Sequence, residues 1–202
     1  RFYFLYFKEE SFVAYEVISK IYDELMGEVD YNQWCDFMEK LFLERTPDIH
    51  HILELGCGSG IMTECLLNKG YEVVGVDTSE EMLFLAQERL QRFGNKVILM
   101  EQDIENMDFE IYEIDCIFSS NDTLNYILEE DKLKNLFSYL NKRLKKGGTF
   151  IFDISSEYKL SEILGNNVFG QSFEDMIYLW ENEYDEEKKQ VEMTITLMEQ
   201  EG

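Results

Sequence analysis

A chain of 202 residues, 45% hydrophobic and 14% aromatic, carries enough apolar material for one domain with a full core and a small appendage. Its 42 acids oppose 18 bases, and a formal charge of -24 argues against a nucleic-acid binder, which shows a basic face. No apolar run reaches the roughly 18 residues that a membrane-spanning helix needs.

Residues 1–10, RFYFLYFKEE, hold an apolar stretch too short for a secretory signal, with no small-residue cleavage site. Residues 2–7 read as a strand or a packing arm, with a disordered terminus the open alternative. From residue 12 to about residue 44 the pattern is helical. Tyr15, Ile18, Tyr22 and Leu25 form one stripe; Trp34, Phe37, Met38, Leu41 and Phe42 form another, with GEVD between them. Pro47, the only proline, closes this region.

From there strands and helices alternate. HILEL predicts a strand, and residues 59–69 a helix stopped by Gly70. EVVGVD predicts a strand, and residues 78–93 a helix opened by a capping box of Thr78 and Glu81 and stopped by Gly94. KVILME and DCIFSS predict two more strands. Residues 129–146 predict a helix with Leu133, Leu136, Phe137, Leu140 and Leu144 on one stripe, acids first and bases last. The one basic cluster, residues 142–146, thus falls at a helix end, where the dipole accounts for it without a phosphate partner. TFIFDI predicts a fifth strand. Continuously apolar strands between helices specify an open, mostly parallel α/β sheet covered on both faces.

After Ser156 the character changes. DMIYLWENEY and QVEMTITLME flank DEEKK, and Val191, Met193, Ile195 and Leu197 alternate onto one face. That is a hairpin or part of a small antiparallel sheet. Tyr178 and Trp180 alternate with Ile177 and Leu179, so either pair faces a pocket or packs within the sheet. The chain therefore divides into an N-terminal arm with helices (1–45), a core (46–157) and a β cap (158–202). Four cysteines, Cys35, Cys57, Cys65 and Cys116, form no C-x-x-C pair, so reduced thiols in a cytoplasmic protein are expected rather than a metal site.

The stretch ILELGCGSG places Gly56, Gly58 and Gly60 at a strand's carboxyl end, where open parallel sheets bind ligands. Glycine permits positive φ and lets a ligand approach the backbone, although a tight strand-to-helix turn alone could use it. Asp77 ends the next strand, where an acid can accept hydrogen bonds from two ribose hydroxyls or cap a helix. The spacing G-x-G-x-G departs from the dinucleotide fingerprint G-x-G-x-x-G. Glu54 before the turn suits a ligand with positive charge rather than a pyrophosphate, and S-adenosylmethionine carries an ammonium, a sulfonium and a ribose.

ILELGCGSG followed by VVGVDTSEEML, EQDIENM and CIFSSNDTLNYI resembles the class I S-adenosylmethionine-dependent methyltransferases, in particular small-molecule enzymes of bacteria with YDELM…DY near the N-terminus. The resemblance covers about residues 15–156. It implies a Rossmann-like fold with S-adenosylmethionine as cofactor and a small-molecule methyl acceptor. Gly56, Cys57 and Gly58 would line the methionine and ribose portion, with Glu54 near the ammonium and Asp77, beside Thr78, on the ribose. Met82 would lie against the adenine, or simply in the helix core. Asp103, Ile104 and Gln102 would serve the adenine, with a plain loop acid the alternative for Asp103. Ser119 and Asn121 would flank the methionine end, and Tyr22 and Tyr31 would close over the cofactor.

The histidines, His50 and His51, begin the first core strand at the end away from the binding edge, so any general base would come from Asp122, Asn125 or Tyr126. This fold usually closes with a further helix and two more strands, which are absent from the sequence. A fragment is one reading, and an exposed sheet edge would favour a homodimer. A non-catalytic S-adenosylmethionine-binding or assembly domain is the alternative function. A nicotinamide oxidoreductase is opposed by the glycine spacing and by Glu54.

Overall fold

The computed structural model describes residues 4–7, 27, 29–110, 113–172 and 176–199. Along the chain these form β1 (Phe4–Phe7), α1 (Tyr31–Leu43), β2 (His51–Leu55), α2 (Ile61–Asn68), β3 (Glu72–Asp77) and α3 (Glu80–Leu90). They continue with β4 (Val97–Glu101), β5 (Ile114–Ser119), α4 (Glu130–Asn141), β6 (Leu144–Phe152), β7 (Val168–Ser172), β8 (Met176–Asp185) and β9 (Gln190–Glu199).

The five expected core strands pair in the order β4-β3-β2-β5-β6, all parallel. The period of two sorts their side chains between two cores. Ile52, Val73, Cys116 and Phe118 pack under α1, α2 and α3 through Phe42, Leu66 and Leu90. Leu53, Leu55, Val76 and Ile117 pack under α4 through Leu133, Leu136 and Leu140. That is the helical spacing expected of a helix covering one sheet face. Each such buried side chain stabilises by about 1.5–3 kcal/mol. Because the chain turns outward in both directions from β2, the carboxyl ends of β2 and β5 diverge into a crevice.

Two helix boundaries differ from expectation. Ser79, not Thr78, caps α3: its Oγ accepts from Met82 N at 3.2 Å and donates to Glu81 at 3.1 Å. The cause is Asp77, whose Oδ1 accepts from Ser79 N at 3.0 Å and delays helix entry by one residue. The helix predicted for 129–146 ends at Asn141, and β6 takes up the basic cluster from Leu144. Lys145 pairs with Asp115 at 2.6 Å, while Arg143 lies over the Tyr139 ring and its Nη1 donates to Tyr139 O at 3.2 Å, so Arg143 meets the last turn of α4 as expected and Lys145 answers a side-chain partner.

Asp115 pins the lower end of the sheet. Its Oδ2 accepts from both His50 N and His51 N at 2.9 Å. Burial alone would raise this carboxyl, but Lys145 and the two backbone N–H groups hold it below the usual range. The histidines therefore stand far from the crevice, as their position before β2 implies.

The cap is a separate sheet of order β1-β9-β8-β7. The expected hairpin is β8–β9, antiparallel, turned where Asp185 accepts from Glu187 N and Lys188 N at 2.9 Å. Val191 and Met193 bury against Leu160 and Leu164 of a short π-type helix, Lys159–Leu164. Sequence reasoning missed that β1 joins this sheet, parallel to β9, with Phe4 opposite Gln190.

Asp115→Asn should lower unfolding free energy by roughly 1.5–3 kcal/mol in urea melts at pH 7, as hydrogen bonds to a charged group are lost. The carboxylate's contribution is present above pH about 4 and fades as pH falls below it, so the two proteins should converge in acid.

Candidate active site

The three glycines of the loop after β2 answer to three different neighbours. All have positive φ, at 69°, 53° and 79°. A Cβ on Gly56 would meet Thr123 at 2.6 Å, and one on Gly60 would meet Leu90 and Ala86 at 3.0–3.1 Å. Gly56 and Gly60 are thus held by packing. A Cβ on Gly58 would meet nothing within 4 Å, because it would project into the cavity. That is the cradle a ligand backbone contact requires.

Asp77 fixes the loop from across the crevice. Its Oδ2 accepts from Gly58 N at 2.8 Å, while Oδ1 holds Ser79 N. Burial raises its carboxyl, against the pull of the Ser79, Gly58 and Thr78 backbone groups. Glu54 is almost wholly buried, with a 2.6 Å hydrogen bond from Thr63 Oγ1. Burial pushes it up to about 8; the Thr63 hydrogen bond opposes this and the Asp77 charge adds to it. Thr63 lay outside the sequence reading, for no local pattern marks a helix threonine as the partner of a strand carboxylate. Cys57 is buried on the cavity wall, and burial raises its thiol.

These groups open onto a cavity of about 720 Å³. Tyr31, Glu54, Gly56, Cys57, Gly58, Asp77, Thr78, Met82, Gln102, Asp103, Ile104 and Asn121 all line it. Met82 does so while only 2% exposed, so it serves core and wall together. Asp103 caps the turn Ile104–Asn106, its oxygens accepting from Glu105 N at 2.8 Å and Asn106 Nδ2 at 2.7 Å. Ser119 lies outside the lining; its hydroxyl donates to Leu55 O at 3.2 Å, and Ser120 takes the wall position. Tyr22 falls outside the described residues.

The loop after β5 forms the far wall. Asn121 and Asp122 both have φ of 60°, an unfavourable conformation for residues with a Cβ. A clamp to the segment after β6 holds them there. Asp122 N donates to Asp153 at 3.3 Å, Asp122 Oδ2 accepts from Ser155 Oγ at 2.6 Å and pairs with Lys159, and Asn125 Oδ1 accepts from Ser155 N at 2.9 Å. Of the three base candidates, Asp122 and Tyr126 line the cavity, whereas Asn125 is buried in this clamp. Beyond Tyr126 the cavity runs under the cap, to Leu164, Trp180, Met193 and Ile195. Trp180 therefore faces the pocket, while Ile177 is exposed.

Among the described residues, six carboxylates and two lysines line the cavity. Both lysines are neutralised, Lys132 by Glu105 and Glu129 at 2.7 and 2.9 Å and Lys159 by Asp122. The acidic wall, the open space at Gly58 and the carboxylate at the end of β3 fit a cationic nucleoside and disfavour a pyrophosphate. Among the described residues no cluster of three or more His, Cys, Asp or Glu could hold a metal.

A sheet ordered this way, with a glycine loop and an acidic strand end at its switch point, defines a Rossmann-like nucleotide-binding fold. Comparison with known proteins gives the family. A model described as "Methyltransferase domain" matches residues 52–148. The chain is 31% identical over 170 residues to "Putative methyltransferase YqeM" of Bacillus subtilis (strain 168), covering 84% of this chain and 67% of that one. It is 38% identical to a crystal structure of an S-adenosylmethionine-dependent methyltransferase from Clostridium acetobutylicum ATCC 824, with a TM-score of 0.79, over 94% of this chain and 76% of that one. The fold extends to the CcbJ methyltransferase of Streptomyces caelestis, at 22% identity and a TM-score of 0.70, over 86% and 72% of the two chains. The chain belongs to the class I S-adenosylmethionine-dependent methyltransferases, and S-adenosylmethionine is its cofactor.

Two outcomes test the site's construction. Gly58→Ala should fold with a loss of about 1–2 kcal/mol from its left-handed backbone, yet lose most of its affinity for S-adenosylhomocysteine in calorimetry. Glu54 keeps its proton when folded up to pH about 8, but releases it near pH 4.3 when unfolded. Its contribution is complete below pH about 4.5 and declines as pH rises towards 8, by up to about 1.4 kcal/mol per pH unit. Urea midpoints of Glu54→Gln should lack this slope.

Proposed function

We propose that the protein transfers a methyl group from S-adenosylmethionine to a small molecule held under the β7–β8–β9 cap. The observation that carries this reading is one continuous cavity shared by Gly58, Asp77 and the cap residues Trp180, Met193 and Ile195. Such enclosure suits a small acceptor, and a strongly acidic surface suits neither nucleic acid nor a polyanion.

When bound, the cofactor supplies a methyl group already activated by its sulfonium. The chain's contribution is proximity, alignment and exclusion of water. On this reading Asp77 accepts from the ribose hydroxyls and Glu54 faces the ammonium. Gly56, Cys57 and Gly58 give their backbone to the ligand. Met82, Gln102, Asp103 and Ile104 surround the base, while Tyr31 and Asn121 close the methionine end. The clamp from Asp122 through Ser155 to Lys159 ties this wall to the cap, so closing the acceptor chamber and shaping the cofactor end are one event. Four free cysteines accord with a reducing cytoplasmic setting.

Calorimetry with S-adenosylhomocysteine should give 1:1 binding. Asp77→Ala should raise the dissociation constant at least tenfold, about 1.4 kcal/mol. Folded protein that binds no S-adenosylhomocysteine would refute the proposal.

A further inference from the structure

We infer that the acceptor is an amine carried on an apolar body, methylated on nitrogen. This deepens the reading above and rests on it.

The first observation is the wall's charge. Among the described residues the cavity's cations are Lys132 and Lys159, and each is already bound to carboxylates of the same wall. A carboxylate or phosphate acceptor would have to compete with the wall's own acids for one of these half-exposed lysines. It would also approach a protein of formal charge -24. An ammonium meets neither obstacle.

The second is that, among the described residues, the carboxylates and histidines that could serve as a base are already engaged or remote. Every carboxylate on the wall has a partner. Glu54 takes Thr63, Asp77 takes two backbone N–H groups, Asp103 takes two donors, Glu105 and Glu129 take Lys132, and Asp122 takes Ser155 and Lys159. Both histidines stand at the opposite end of the sheet, where their backbone binds Asp115. An alcohol must lose its proton during attack and needs a positioned base. An amine that has left its proton in bulk water needs none at the transfer step itself, because its neutral form brings its own lone pair.

The third is the chamber under the cap. Tyr126 and Trp180 present rings there, and Leu164, Met193 and Ile195 add apolar surface. Aromatic faces attract a cation by about 0.5–2 kcal/mol, so they favour both the arriving ammonium and the positive charge that develops on the attacked nitrogen. The step balances. The ammonium gives one proton to water, and the nitrogen lone pair forms the N–C bond as the C–S bond breaks. The electron pair of that bond goes to sulfur, leaving S-adenosylhomocysteine and a methylated ammonium.

The chain has two tryptophans, so Trp34→Phe protein loaded with S-adenosylhomocysteine reports on Trp180 alone. Three probes of one shape are titrated by fluorescence: phenethylamine, 2-phenylethanol and 3-phenylpropanoate. Phenethylamine should bind at least tenfold more tightly than either other probe. Tyr126→Leu should weaken it at least fivefold with the S-adenosylhomocysteine titration unchanged, and Tyr126→Phe should restore it. With S-adenosylmethionine in place of the product, mass spectrometry should show phenethylamine gaining one methyl, faster as pH rises towards the amine's pKa. Equal or tighter binding of the alcohol or the carboxylate, or no response to any probe, overturns the inference. Should Tyr126→Leu fail to fold, the three-probe comparison decides by itself. Loss of S-adenosylhomocysteine binding in the same sample would instead sink the broader function.

Discussion

The site depends on one carboxylate that belongs to two turns. Asp77 ends β3, yet its two oxygens reach Gly58 of the loop after β2 and Ser79 at the head of α3. Without that bridge, the two backbone N–H groups would have to find other partners, and neither turn would have this side chain to hold its shape. With it, the cradle and the helix entry share one anchor. The arrangement has a cost, since the carboxylate is mostly withdrawn from water and shares its surroundings with buried Glu54. Two acids kept so close without a cation form a site prepared for positive charge.

The same economy runs through the far wall. Asn121 and Asp122 sit in a backbone conformation that costs of order 1 kcal/mol or more each. Asp122 is held there by Ser155, Asp153 and Lys159, and Asn121 precedes it directly in the chain. Thr123, next in line, fills the space that a side chain at residue 56 would need. The two walls are thus built against each other, and the cavity is what remains between them.

Much of this was legible in the sequence because it is local. Apolar runs of five or six residues, glycines at strand ends and the leucine stripe of α4 each follow from periodicity within one element. The glycine loop and Asp77 were legible because their spacing is set by a single strand–helix–strand unit. What could not be read is what depends on partners far along the chain. Thr63 under Glu54, Ser155 under Asp122 and Asn125, and Lys145 on Asp115 are long-range pairs with no periodic signal. The end of α4 went astray for that reason: a row of bases looks like a helix terminus until one of them is needed by a buried acid on the neighbouring strand β5. The cap was placed at Thr78 instead of Ser79 because Asp77 takes the adjacent backbone N–H.

The parallel pairing of β1 with β9 joins residues 4–7 to residues 190–193. A ribosome releases the five-stranded core long before that partner emerges, so the core can consolidate while the early strand waits unpaired. The roof over the cavity is thereby assembled after the five strands beneath it. A loop closure of such length slows the β1–β9 pairing rather than the core's formation. Newly made chains should accordingly pass through a stage in which the floor around Gly58 and Asp77 exists and the β7–β8–β9 roof does not.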